Sequence, residues 1–99
     1  MAREKNAQRH LQLPEHPQLP VINFKETGAR IKELCEEANL TIEDLQDYMG
    51  LSQTAYYKWF SGRSLPSSEN LVHLSYLLQV PVDDILVVYY VDWNHDPVA

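Results

Sequence analysis

Between residues 23 and 86, apolar positions recur three and four apart in several short runs, the spacing of helices that each turn one face to a core. In the first run Ile31, Leu34, Cys35 and Ala38 fall at i, i+3, i+4 and i+7. Asn23 and Glu26 stand ahead of it at capping-box spacing, and Asn39 tolerates the left-handed backbone that ends many helices. Thr41 and Asp44 repeat the capping box for a second helix, with Ile42, Leu45, Tyr48 and Met49 as its inner face. Gly50 supplies the positive φ of a tight interhelical turn, and Ser52 caps a third helix. There Ala55, Tyr56, Trp59 and Phe60 point inward, and Gly62 ends the helix. Arg63 to Pro66 reads as a loop. Ser67 or Ser68 caps a fourth helix with Leu71, Leu74, Ser75 and Leu78 inside. Pro81 opens a short fifth that holds Val82, Ile85 and Leu86 against the core.

The flanks are patterned differently. Residues 1–22 carry Pro14, Pro17 and Pro20 and few large apolar side chains, so they predict a flexible arm. Arg3, Lys5, Arg9 and His10 could touch phosphates there, although a solvated tail is the simpler reading. Residues 87–99 form an extension whose first part, with Leu86, is unbroken β-branched and aromatic sequence up to Val91. An isolated strand is unstable, so this run needs a partner. It continues the fifth helix, packs on the domain, or pairs with a second chain. Asp92 to Pro97 ends it with turn chemistry. The expected fold is all-α: a compact five-helix domain over 23–86, a flexible N-terminal arm over 1–22, and a short apolar C-terminal extension over 87–99.

Ninety-nine residues with 44% hydrophobic content suit one small domain that needs no staple. A lone Cys35 cannot form an intrachain disulfide, and its place in an apolar stripe predicts a buried, inert thiol. With no signal-peptide pattern, that cysteine points to a cytoplasmic protein. No apolar run approaches the roughly 20 residues of a membrane span. His10, His16, His73 and His95 are not at zinc-ligand spacing, so no metal or cofactor is expected. Nothing reads as a P-loop, a dinucleotide fingerprint or a nucleophile elbow. The pairs Glu36-Glu37 and Asp83-Asp84 splay around their helices as solvated faces, and an enzyme is not expected.

The net charge of −6 argues against indiscriminate nucleic-acid binding, but its distribution is uneven. Glu26, Glu33, Glu36, Glu37, Glu43, Asp44 and Asp47 precede Tyr48, whereas Tyr48 to Ser68 holds no acid and carries Lys58 and Arg63. Thr41 to Ser61 has the layout of a helix-turn-helix, two short amphipathic helices meeting at a glycine. The outer face of its second helix is Gln53, Thr54, Tyr57, Lys58 and Ser61, polar and free of acids, which suits a DNA major groove. Gln53 can pair with adenine, Lys58 can donate to guanine O6 and N7, and Thr54 can meet a thymine methyl or a phosphate. An ordinary solvated helix face has the same composition; the surrounding motif tips the reading to DNA. Trp59 and Phe60 share the inward spacing of Ala55 and Tyr56, so they read as core and not as a stacking platform.

Five fragments in order complete the pattern: Leu40 to Leu45, Gly50-Leu51-Ser52, Gly62 to Pro66, Asn70 to Leu74 and Val80 to Leu86. From about Ile31 to Leu86 the chain resembles the Cro/cI-type, or xenobiotic-response-element-type, helix-turn-helix family. The resemblance implies a phage-repressor-like bundle of five helices that binds double-stranded DNA, usually as a dimer on a two-fold site. It implies a recognition helix from Ser52 to Ser61. Gln53, Thr54, Tyr57 and Lys58 are the expected base contacts, and Ser52, Ser61, Arg63 and Ser64 the expected phosphate contacts. Two departures stand out. Cys35 and Phe60 occupy places where many members carry an Arg–Glu ion pair, which implies an apolar contact between them. Ile42 replaces a glutamine that often grips a phosphate.

The expected function is a bacterial or phage transcriptional regulator, a repressor acting as a homodimer by occupying its operator. An antitoxin that represses its own operon is a variant of that reading. The alternative is an acidic protein-interaction module that keeps the fold and binds a protein through its acidic face or Leu86 to Val91.

Overall fold

The computed structural model describes residues 15 and 17–92. Expectations for Arg3, Lys5, Arg9, His10, His16, His95 and the turn beyond Asp92 lie outside the described residues. Residues 21–89 form one compact unit; Gln18–Pro20 and Tyr90–Asp92 belong to a second.

Three of the five helices begin where a side chain satisfies an open N–H group. Asn23 accepts the Glu26 N–H at 2.9 Å and opens α1, Phe24–Glu37. Ala38 and Asn39 close it, Asn39 with φ 58°. Thr41 and Asp44 complete a reciprocal capping box on α2, Ile42–Met49, with bonds of 3.1 and 2.9 Å. Gly50, at φ 77°, turns the chain into α3, Gln53–Phe60. Ser67 accepts the Asn70 N–H at 3.1 Å and opens α4, Ser68–Leu78. Pro81 precedes α5, Val82–Ile85.

The five helices share one core. Ile31, Leu34 and Cys35 of α1 meet Leu45 of α2, Tyr56 and Trp59 of α3, Leu74 of α4 and Ile85 of α5, all buried. Burial of side chains this size stabilises by about 1.5–3 kcal/mol each before entropy is charged. Tyr56 and Trp59 meet edge to face at 5.2 Å, the arrangement that ring quadrupoles favour. Gly28 lets α1 approach the end of α3: a Cβ there would lie 1.9 Å from the Trp59 carbonyl oxygen.

The expectation of an all-α fold is corrected by a two-stranded sheet of β1, Gln18–Ile22, and β2, Val88–Asp92. Asn23 donates its N–H to the Val87 carbonyl at 2.8 Å, and Gln18 donates through Nε2 to Asp92 Oδ1 at 3.1 Å. These pairs run in opposite senses along the chain, so the strands are antiparallel. The apolar tail therefore finds its partner in residues 18–22, where the proline-rich sequence predicts a flexible arm. It does not continue α5, because Leu86 is already extended at φ −80°, ψ 133°. Buried Thr27 fixes that exit: its Oγ1 accepts the Val87 N–H at 2.9 Å and donates to the Val87 carbonyl at 3.3 Å.

Four side chains depart from the expected pattern, the first being Ala38, which is exposed at the C-cap of α1. Tyr48 is 66% exposed, because Leu45 and Met49 already cover the core side of this short helix. Phe60 is only half-buried, packed against the core from its rim. Ser52 holds the N-cap position of α3, yet its side chain makes no capping bond; the backbone bond from Ala55 N–H to the Ser52 carbonyl, 3.0 Å, starts the helix.

Candidate nucleic-acid interface

The turn between α2 and α3 is pinned from inside. Tyr56, fully buried, donates its hydroxyl to the Leu45 carbonyl at 2.9 Å and accepts the Leu51 N–H at 3.2 Å. One side chain thus ties the body of α2, the turn and α3 together. Burial pushes its hydroxyl pKa up from 10.0, against a smaller lowering by the Leu51 N–H.

With its inner face held, α3 presents Gln53, Thr54, Tyr57 and Lys58 to solvent on one side. Gln53 Nε2 reaches Tyr57 Oη at 3.5 Å, a long contact one helical turn apart. The Tyr57 ring leans edge-on against Phe60 at 6.2 Å, which restricts where its hydroxyl can go. A half-buried Phe60 therefore supports the outer face as well as the core.

The loop after α3 folds back onto one acceptor. The Lys58 carbonyl receives the Arg63 N–H at 2.9 Å, the Ser61 hydroxyl at 3.3 Å and the Ser64 N–H at 3.4 Å. Arg63 and Ser61 are exposed beside α3, Ser64 is half-buried, and Ser52 is exposed at the other end of the helix. The expected base-contacting side chains thus share one exposed face. Ser52 and Ser61 bracket it, and Arg63 and Ser64 follow in the loop.

Sequence reasoning missed Lys32. It comes from α1 and joins Lys58, Arg63, Thr54, Tyr57, Phe60 and Ser61 around an open concavity of about 470 Å³. Three cations and no acid line that hollow, on a chain of net charge −6. The signal was indirect: Lys32 lies three residues before Cys35, and Cys35 and Phe60 line a neighbouring hollow of about 230 Å³ with Lys32. Cys35 itself is buried; burial first, then the adjacent Glu36 charge, pushes its thiol pKa up from 9.0 to about 11. Ile42, also half-buried, packs against the core and offers no polar group at the start of α2.

Among the described residues no group of three or more His, Cys, Asp or Glu side chains is placed to hold a metal ion, and no helix is long and apolar enough to cross a membrane.

Two short helices joined at a left-handed glycine, with a polar face outward on the second, define a helix-turn-helix. The chain belongs to the Cro/cI-type helix-turn-helix family: the family model HTH_3, Helix-turn-helix, matches residues 31–85. It is 34% identical over 58 residues to the cryptic phage CTXphi transcriptional repressor RstR of Vibrio cholerae, covering 59% of this chain and 52% of that protein. It is 34% identical over 61 residues to the HTH-type transcriptional activator BcrR of Enterococcus faecalis, covering 62% of this chain and 30% of that protein. The chain thus spans about half or less of the length of these relatives. Two solved structures share the fold. The restriction-modification controller protein C.AhdI of Aeromonas hydrophila superposes with a TM-score of 0.57 at 22% identity, over 63% of this chain and 94% of that one. The clp gene regulator ClgR of C. glutamicum gives 0.55 at 23% identity, over 62% of this chain and 79% of that one.

Proposed function

We propose that this protein is a sequence-specific double-stranded DNA-binding transcription regulator that represses by occupying its operator as a homodimer. The observation that carries the reading is the acid-free outer face of α3, flanked by Lys32, Lys58 and Arg63 on an otherwise acidic chain. Gln53, Thr54, Tyr57 and Lys58 read base edges in the major groove, and Ser52, Ser61, Arg63 and Ser64 hold phosphates on either side. Its family membership supports DNA as the partner, and RstR supports repression. Occupancy requires only this surface. A second copy would place a second α3 one helical turn away along the duplex.

A protein-interaction module is the second reading, favoured by the exposed Tyr48, Val72 and Tyr76. A salt titration of duplex binding separates the two. On the DNA reading, affinity falls steeply as salt rises and Arg63→Ala reduces the slope by about one. Absence of duplex binding at low salt would favour the protein partner instead.

A further inference from the structure

We infer that the hollow between α1, α2 and α3 is an effector site for a small aromatic carboxylate, and that its occupant and duplex DNA compete. Two adjoining depressions make the site, one of about 230 Å³ and one of about 470 Å³, and Lys32, Tyr57 and Phe60 line both. The smaller one is walled by apolar side chains. Cys35 and Leu45 are buried beneath it. Leu40, Ile42 and Phe60 pack against the core and leave their remaining surface to the hollow. An apolar cavity of about 150 Å³ admits benzene. A volume of about 230 Å³ therefore suits one substituted ring.

The charges select the head group. Lys32 borders the apolar hollow, and Lys58 and Arg63 join it around the larger depression. Glu36 also borders the apolar hollow, while Thr41 there is engaged with Asp44 in its capping box. Glu36 repels an anion and so turns it toward the larger depression, which three cations and no acid line. A ring in the first depression with a carboxylate in the second satisfies both. Apolar walls with a few convergent polar groups are the usual construction of small-molecule sites. A neutral ring gains nothing from the three cations.

Occupancy bears on DNA through two shared features. Tyr57 leans edge-on against Phe60 at 6.2 Å, and its hydroxyl lies 3.5 Å from Gln53 Nε2. A ring seated against Phe60 displaces Tyr57 and disturbs the outer face of α3. The carboxylate also engages Lys32, Lys58 and Arg63, which the DNA reading assigns to the duplex. The inference deepens that reading and rests on it for the competition; the ligand site itself rests on the two depressions alone.

The test uses the full chain and a panel of probes: benzoate, para-methylbenzoate and para-ethylbenzoate, each beside its neutral amide. Amide NMR spectra should shift around Cys35, Leu40, Ile42 and Phe60, with the acids bound about fivefold tighter than the amides. Lys32→Gln should erase that preference and keep the amides bound. Cys35→Leu should fill the hollow and abolish binding of both, with duplex affinity kept; if it does not fold, Lys32→Gln still decides. At about ten times a probe's dissociation constant, wild-type duplex affinity should fall about tenfold. Acetate at equal concentration supplies the ionic strength without the ring and should leave the duplex bound. Absence of shifts at these residues with every probe, or equal binding of acids and amides to wild type, would overturn the site. Acids that bind there while duplex affinity holds, or that act no more than acetate does, would overturn the competition. Selective duplex binding with no probe bound leaves the DNA reading standing. Probe binding by a protein that takes no duplex at low salt removes the DNA reading and leaves the site.

Discussion

The hydroxyl of Tyr56 donates to the main-chain carbonyl of Leu45 at 2.9 Å, inside the core and across the helix-turn-helix. The same oxygen accepts the Leu51 N–H, so one phenol bonds both α2 and the turn that leads into α3. Tyr56→Phe keeps the ring against Trp59 and strips both bonds. The expected loss is about 1–3 kcal/mol, the cost of stranding buried backbone groups, read by urea unfolding. An unchanged urea midpoint would show that the hydroxyl does not hold the turn.

Gly28→Ala should destabilise the helical unit by overlap, not by lost burial. The new methyl would meet the Trp59 and Phe60 carbonyl oxygens at 1.9 and 2.9 Å, and backbone cannot swing aside as a side chain can. Overpacking of this kind costs about 1–3 kcal/mol or more. Thermal unfolding should register it as a fall of roughly 4–8 °C per kcal/mol. A melting temperature equal to wild type would mean that α1 and α3 are not this close.

Stability should decline in alkali. Buried Cys35 titrates near 11 in the folded chain against 9.0 when free, and buried Tyr56 is shifted upward from 10.0 as well. Above pH 9 the unfolded chain releases protons that the folded chain retains, so unfolding gains free energy as pH rises. The contribution is complete below pH 9 and is lost as pH climbs through about 11. Denaturant midpoints across that range check it, and Cys35→Ser should flatten part of the fall. Native protein at neutral pH should also resist thiol reagents; rapid labelling would place Cys35 at the surface.

Lys32 should act on all duplexes alike. Lys32→Ala is expected to weaken sequence-matched and mismatched duplexes by the same factor and to reduce the salt slope by about one. An effect confined to one sequence would move Lys32 from the phosphates to the bases.

The five helices were legible because their signals are local. Capping residues such as Thr41 and Ser67, and stripes such as Ile31, Leu34 and Cys35, lie within a few residues of one another. The sheet was not legible, because β1 contains Pro20 and its partner stands some seventy residues away, as the Gln18–Asp92 bond shows. Lys32 escaped for the same reason: only folding brings α1 beside Arg63. Tyr48 misled because a stripe read from spacing alone overstates how many positions an eight-residue helix can bury. Face-sharing among Gln53, Thr54, Tyr57 and Lys58 followed directly from helical period.

The most direct measurement is selection of bound sequences from a random pool of duplex DNA, with wild type and Gln53→Ala run in parallel. Wild type should enrich a two-fold motif with half-sites about one helical turn apart. Gln53→Ala should enrich the same motif relaxed at one base pair of each half-site, where discrimination of about 1–3 kcal/mol is lost. A wild-type pool with no enriched motif, or identical motifs from both proteins, would contradict the assignment of α3 as a base-reading helix.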